Sequence, residues 1–148
     1  MSRIPRFQEH LKTGFTAEAA SAARYRAYAD RARADGMPNV AQRWLRLAAA
    51  KDALAIELLV ASEQIHGSES DIGNAISEER YENDILYPKM IRDVDEEVAN
   101  VFLRVVTAQK EHLKQLEALR RDLGSSQGDV ALPSEVDKGT AAPFAVSS

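Results

Sequence analysis

The sequence has no cysteine among its 148 residues. That excludes disulfides, thiol catalysis, Cys-ligated zinc and any cysteine-held iron centre of the rubredoxin or ferredoxin type. No apolar run reaches the ~18 residues that a membrane-spanning helix requires. The first ten residues, Met1 to His10, hold no apolar stretch of the secretory kind, so the cytoplasm is the expected location. Glycine occurs only 7 times, never as GxGxxG or GxxxxGK[ST], which argues against a dinucleotide or phosphate loop. A basic excess is also missing. Against 19 Lys and Arg stand 23 Asp and Glu, a formal charge of −4, where a general nucleic-acid binder carries a basic stripe. No segment alternates β-branched with polar residues, so strands are not expected.

What is present is helix-forming sequence around an ordinary globular composition, 45% hydrophobic and 28% charged. Alanine, the best helix former, is dense from Ala17 to Ala61. A first helix is expected from near Arg6 to Asp35, with Gly36 stopping it and Pro38 fitting the first turn of a second. The second runs to about Gln64, its apolar face built from Val40, Trp44, Leu47, Ala48, Leu54, Leu58 and Leu59. The single tryptophan, Trp44, reads as a core or dimer-interface anchor. After the polar stretch His66–Asp71, Ser70 or Asp71 can cap a third helix reaching about Arg92. Pro88 lies inside it and should kink it or interrupt its hydrogen bonding. Asp93 or Asp95 can cap a fourth helix, striped by Val98, Val101, Phe102, Val105, Gln109, His112, Leu113 and Leu116, that ends near Leu123 before Gly124.

Long helices with mostly short connections predict an all-α, antiparallel four-helix bundle over residues 1–123. Residues 124–148 change composition, with three of the seven glycines, two of the five prolines and five serines. They read as a flexible tail, whose patch Pro143–Val146 offers a place to dock a partner. The arginines Arg24, Arg26, Arg31, Arg33, Arg43 and Arg46 gather on the first hairpin among Asp30 and Asp35 and read as a solvated face.

Chemistry is left to carboxylates and histidines. Glu79 and Glu82, three apart, share a helix face, as do Gln109 and His112. Tyr25 lies seven residues beyond Glu18 and so on the same face. Inward Glu residues from different helices, with Glu/Gln-x-x-His, make up the layout of a carboxylate-bridged di-metal site.

The strings Gly14-Phe-x-x-Glu18 with Arg24-Tyr25, Glu79-x-Tyr81-Glu82 with Tyr87-Pro88, and Lys110-Glu111-His112 together resemble the rubrerythrin family of ferritin-like proteins, over roughly Phe7 to Leu123. The resemblance implies a ferritin-like bundle, a dimer, iron chemistry with peroxide or oxygen, and oxidative-stress defence, with electrons from an external donor in the absence of a cysteine-held module. It matches Glu18, Glu79, Glu82 and His112 to metal ligands, with Mn or Zn as alternatives to iron, and Tyr25 and Tyr87 to tyrosines beside the metals. It also marks departures. Lys51 and Leu54 replace the Glu-x-x-His pair of the second helix, and Gln109 replaces the glutamate of the fourth. Three ligand positions are thus lost. Like charges ~4 Å apart repel by roughly 4 kcal/mol at an effective dielectric near 20, so an ammonium from Lys51 offers what a metal ion otherwise supplies. Lys51 is expected to pair with Glu18 or Glu79. Two functions follow as expectations. One is a metal-binding protein holding one ion, or two weakly, with weak peroxide, oxygen or iron-oxidation chemistry. The other is a catalytically inactive bundle, without cofactor, in a structural or partner-docking role.

Overall fold

Alanine governs how the first two helices meet. The computed structural model describes residues 6–133, and every regular element among them is helical. The chain divides into two compact units, residues 1–66 and 67–148. In the first, α1 (Phe7–Ala34) and α2 (Pro38–Ala61) form a hairpin. Ala22, Ala29 and Ala32 on α1, and Ala41, Ala48 and Ala55 on α2, are its buried apolar residues. Spaced mostly by seven, they keep to one face of each helix, and their small side chains let the two backbones approach. Gly14 belongs to the same seam. A Cβ there would come within 3.2 Å of Leu58 Cδ1. Contacts run in antiparallel order: Gln8 bonds Ser62, Glu18 meets Lys51, and Tyr25 stacks on Trp44.

The turn between them is set by Gly36, whose φ of 76° suits a residue without Cβ. Gly36 N–H donates to Arg33 O and Met37 N–H to Ala32 O, the paired bonds of a Schellman ending. Pro38 then opens α2, as expected. At its far end α2 stops at Ala61, earlier than the expected Gln64, and the backbone leaves the helical region at Glu63, whose φ is 60°.

In the second unit, α3 (Ser68–Tyr81) continues through a π-helical segment (Glu82–Leu86) into α4 (Tyr87–Arg92), and α5 (Glu96–Ser125) packs antiparallel along them. The expected caps Ser70 and Asp71 lie inside α3, which begins after an extended Gly67 without a side-chain cap. The disturbance expected from Pro88 takes a definite form. Tyr87 N–H bonds Glu82 O, five residues back. Proline cannot donate, and the wider turn just before it removes the need for that bond. Of the two caps considered for the last helix, Asp95 does the work, accepting from Val98 N at 3.0 Å. Gly124 does not stop this helix, which runs one residue further to Ser125. Ile72, Ile76 and Val106 are the buried apolar residues of this unit.

Among the described residues no helix is long and apolar enough to cross a membrane. The Pro143–Val146 patch lies outside the described residues.

Candidate functional site

The candidate residues fall into two groups, one in each unit. In the first hairpin, Glu18 on α1 and Lys51 on α2 approach with Nζ 2.8 Å from Oε2, both side chains about three-quarters buried. Of the two partners expected for Lys51, the structure provides Glu18. The short contact with Glu18 is the first cause that holds the Lys51 ammonium above its ordinary pKa. Partial desolvation opposes it, and the charge of Glu18 and the nearby Tyr25 phenol push the same way as the contact. Tyr25 itself packs on Trp44 at 5.0 Å and on Tyr28 at 6.2 Å, so an aromatic cluster lies beside the pair. Leu54, at the other substituted ligand position, is about half exposed and offers no polar atom.

In the second unit the continuous helix α3–π–α4 presents Glu79 and Glu82 toward α5. Gln109 Nε2 donates to Glu82 Oε2 at 2.7 Å. His112 Nδ1 stands 3.6 Å from Glu79 Oε1, too far for a hydrogen bond and close enough for an ion pair when the imidazole is protonated. Tyr87 lies against Phe102, ring centres 5.7 Å apart. Each of the four carboxylate or imidazole candidates therefore has a polar neighbour in its own unit. Two of those neighbours, Lys51 and Gln109, stand at positions where the resemblance would put metal ligands.

Three buried groups in the second unit are left without hydrogen bonds: Glu79 Oε2, Gln109 Oε1, and both side-chain polar atoms of Asn83. Asn83 is 6% exposed and sits inside the π segment, one turn beyond Glu79. Sequence reasoning missed it. Its only signal was position, four residues beyond Glu79 and five before Pro88. An unsatisfied buried amide costs about 1–3 kcal/mol, so Asn83 is the least economical residue of this unit.

Among the described residues no group of three or more His, Asp or Glu is arranged to hold a metal ion. Glu18 and Lys51 form one pair, and Glu79, Glu82, Gln109 and His112 form two. Such a set can balance charge locally, and the unsatisfied oxygens of Glu79 and Gln109 remain as its spare donors for a cation. No protein-family model matches this sequence, and no curated protein is significantly similar to it.

Proposed function

We propose that this chain is a rubrerythrin-like, ferritin-like antiparallel bundle whose metal charge is replaced from within, leaving a non-catalytic structural or partner-docking protein. The observation that carries this reading is the 2.8 Å contact between Lys51 Nζ and Glu18 Oε2. An ammonium at a former ligand position neutralises a carboxylate and disfavours a divalent cation beside it. The Gln109–Glu82 hydrogen bond supports the same reading, since an uncharged donor there satisfies a carboxylate that a metal would otherwise bind. On this reading Tyr25 and Tyr87 are packing residues.

Thermal unfolding in chelator and in excess Mn²⁺, Fe²⁺ or Zn²⁺ tests it. Binding only to the folded state would raise the melting temperature by mass action. The expected result is no metal-linked shift. A stoichiometric ion in protein purified without chelator, with a large upward shift, refutes the proposal.

A second reading keeps one ion in the second unit, held by Glu79, Glu82 and His112. It is favoured by the unsatisfied Glu79 Oε2 and Gln109 Oε1. These oxygen and nitrogen donors suit Fe, Mn or Zn, and such an ion would supply redox or Lewis-acid chemistry, with electrons from an external donor. Under this reading His112→Ala abolishes the metal-linked shift and Lys51→Met leaves it intact.

A further inference from the structure

One face of α2 is apolar and open. Val40, Leu47 and Leu54 follow one another at intervals of seven residues and are 41%, 52% and 47% exposed. At ~1.5 Å per residue they make a stripe about 21 Å long. Val40, Trp44 and Leu47 line a groove of about 570 Å³ at one end of the stripe, together with Arg43 and Arg46. Tyr25 and Tyr28 of α1 both pack on Trp44 with ring centres 5.0 Å away, which fixes the indole in the wall. Apolar side chains repeating every seven residues have the spacing along which a second helix packs. A concave groove suits the same convex partner, whereas a flat lipid surface would not reach its floor.

The groove carries charge of one sign. On α1, Arg26, Arg31 and Arg33 pair with Asp52, Asp35 and Asp30 at 2.8, 3.2 and 3.2 Å. Arg43 and Arg46 have no such partner among the described residues. Residues 37–51 contain no Asp or Glu. The first turn of α2, where the groove begins at Val40, has neither an acidic residue nor a side-chain cap, so the positive end of the helix adds to the two guanidinium charges. An apolar floor with a cationic edge is complemented by a helix whose apolar stripe is flanked by carboxylates.

We infer that this groove docks an acidic amphipathic helix of another protein, an inference that rests on the partner-docking role proposed above and gives that role its partner's chemistry. Apolar side chains of the incoming helix fill the space between Val40, Trp44 and Leu47 and continue along the stripe toward Leu54. Its carboxylates pair with Arg43 and Arg46. The apolar contact supplies the affinity, and the two arginines select the sign of the partner. Docking takes water away from Trp44, the one tryptophan of the chain, so its emission reports occupancy.

Two tryptophan-free helical peptides of about three heptads serve as probes, both with leucine at heptad spacing, one flanked by glutamate and the other by lysine. Each is titrated in chelator into the full chain, as wild type, Arg43→Glu/Arg46→Glu and Leu47→Ser. Trp44 emission and sedimentation velocity are the readouts. The wild type is expected to bind the glutamate peptide with a blue shift, at least about tenfold more tightly than the lysine peptide, and less tightly as salt rises. The charge-reversed variant should prefer the lysine peptide instead, and Leu47→Ser should weaken binding of the glutamate peptide. Helical circular dichroism identifies a variant that has unfolded. If the charge reversal has, Arg43→Ala/Arg46→Ala takes its place, with weaker and less salt-dependent binding expected. A wild type that binds neither peptide, or both alike, overturns the inference, as does a preference that survives the charge reversal. Self-association that excludes the peptide also overturns it, because a second copy then covers the groove. So do anionic lipid vesicles that shift Trp44 emission where the glutamate peptide does not. Melting in excess metal separates this inference from the reading beneath it. A failed titration without a metal-linked shift removes the acidic partner and leaves the metal-free bundle; a successful one with such a shift does the reverse.

Discussion

Replacing Gln109 by glutamate tests the charge balance of the second unit directly. In the wild type, Nε2 of Gln109 donates to Glu82 Oε2 at 2.7 Å. Gln109→Glu removes that donor and puts a second carboxylate in its place with almost no change of volume. Two terms follow. A hydrogen bond to a charged group contributes about 1.5–3 kcal/mol. Two unit charges at ~4 Å repel by about 4 kcal/mol at an effective dielectric of 20. The pair escapes part of this repulsion by sharing a proton, so one of the two carboxyl groups titrates above the ordinary glutamate range when folded. The folded state then binds more protons than the unfolded state between the ordinary and the raised pKa. Stability of the variant therefore falls as pH rises through that window, and is regained as pH drops toward 4. The net loss expected at neutral pH is about 2–4 kcal/mol, after the shared proton has relieved part of the repulsion. Urea unfolding followed by helical circular dichroism, for both proteins across pH 4–8, measures it. A variant as stable as the wild type at pH 7, or a penalty that does not change with pH, refutes the reasoning. The same variant should bind a divalent cation more tightly than the wild type, because it restores a carboxylate that the resemblance assigns to a ligand.

Other expected outcomes probe different terms. Lys51 has its pKa raised by contact with Glu18, so the pair stabilises the fold below the ordinary lysine pKa and loses that contribution as pH climbs through the raised value. Lys51→Met should therefore lower stability at neutral pH and lose part of the wild-type alkaline sensitivity, both read from melts at pH 7–11; equal pH profiles would count against it. Asn83→Leu removes a buried amide without hydrogen bonds and should stabilise the protein by about 1 kcal/mol, checked by urea unfolding. A loss of stability there would mean that the amide is satisfied by a partner. Asp95→Ala removes the hydrogen bond to Val98 N and should cost about 1 kcal/mol in thermal unfolding. Gly36→Ala forces a Cβ into a left-handed turn and should cost about 1–2 kcal/mol by the same measurement.

Much of the local structure was legible in the sequence. Gly36 followed by Pro38 marked the first turn because one residue tolerates positive φ and the other tolerates the loss of a helix-starting N–H. The caps were less legible. Four acidic or hydroxyl residues competed for two helix starts, and Gly67 took one of them with extended backbone alone. Pro88 announced a disturbance, but not its form as a π segment or its reach back to Glu82. Whether that irregularity would bury Asn83 depended on packing that no local pattern encodes.

By itself, the sequence determined the helices and the charge inventory, because alanine content, apolar periodicity and turn residues act over a few neighbouring positions. It also narrowed the partner of Lys51 to two carboxylates. Only the tertiary structure chose Glu18, gave Gln109 to Glu82, and set His112 at 3.6 Å from Glu79. Those choices join residues 27 to 33 positions apart, and at such separations it is the register of one helix against another that fixes which charges meet.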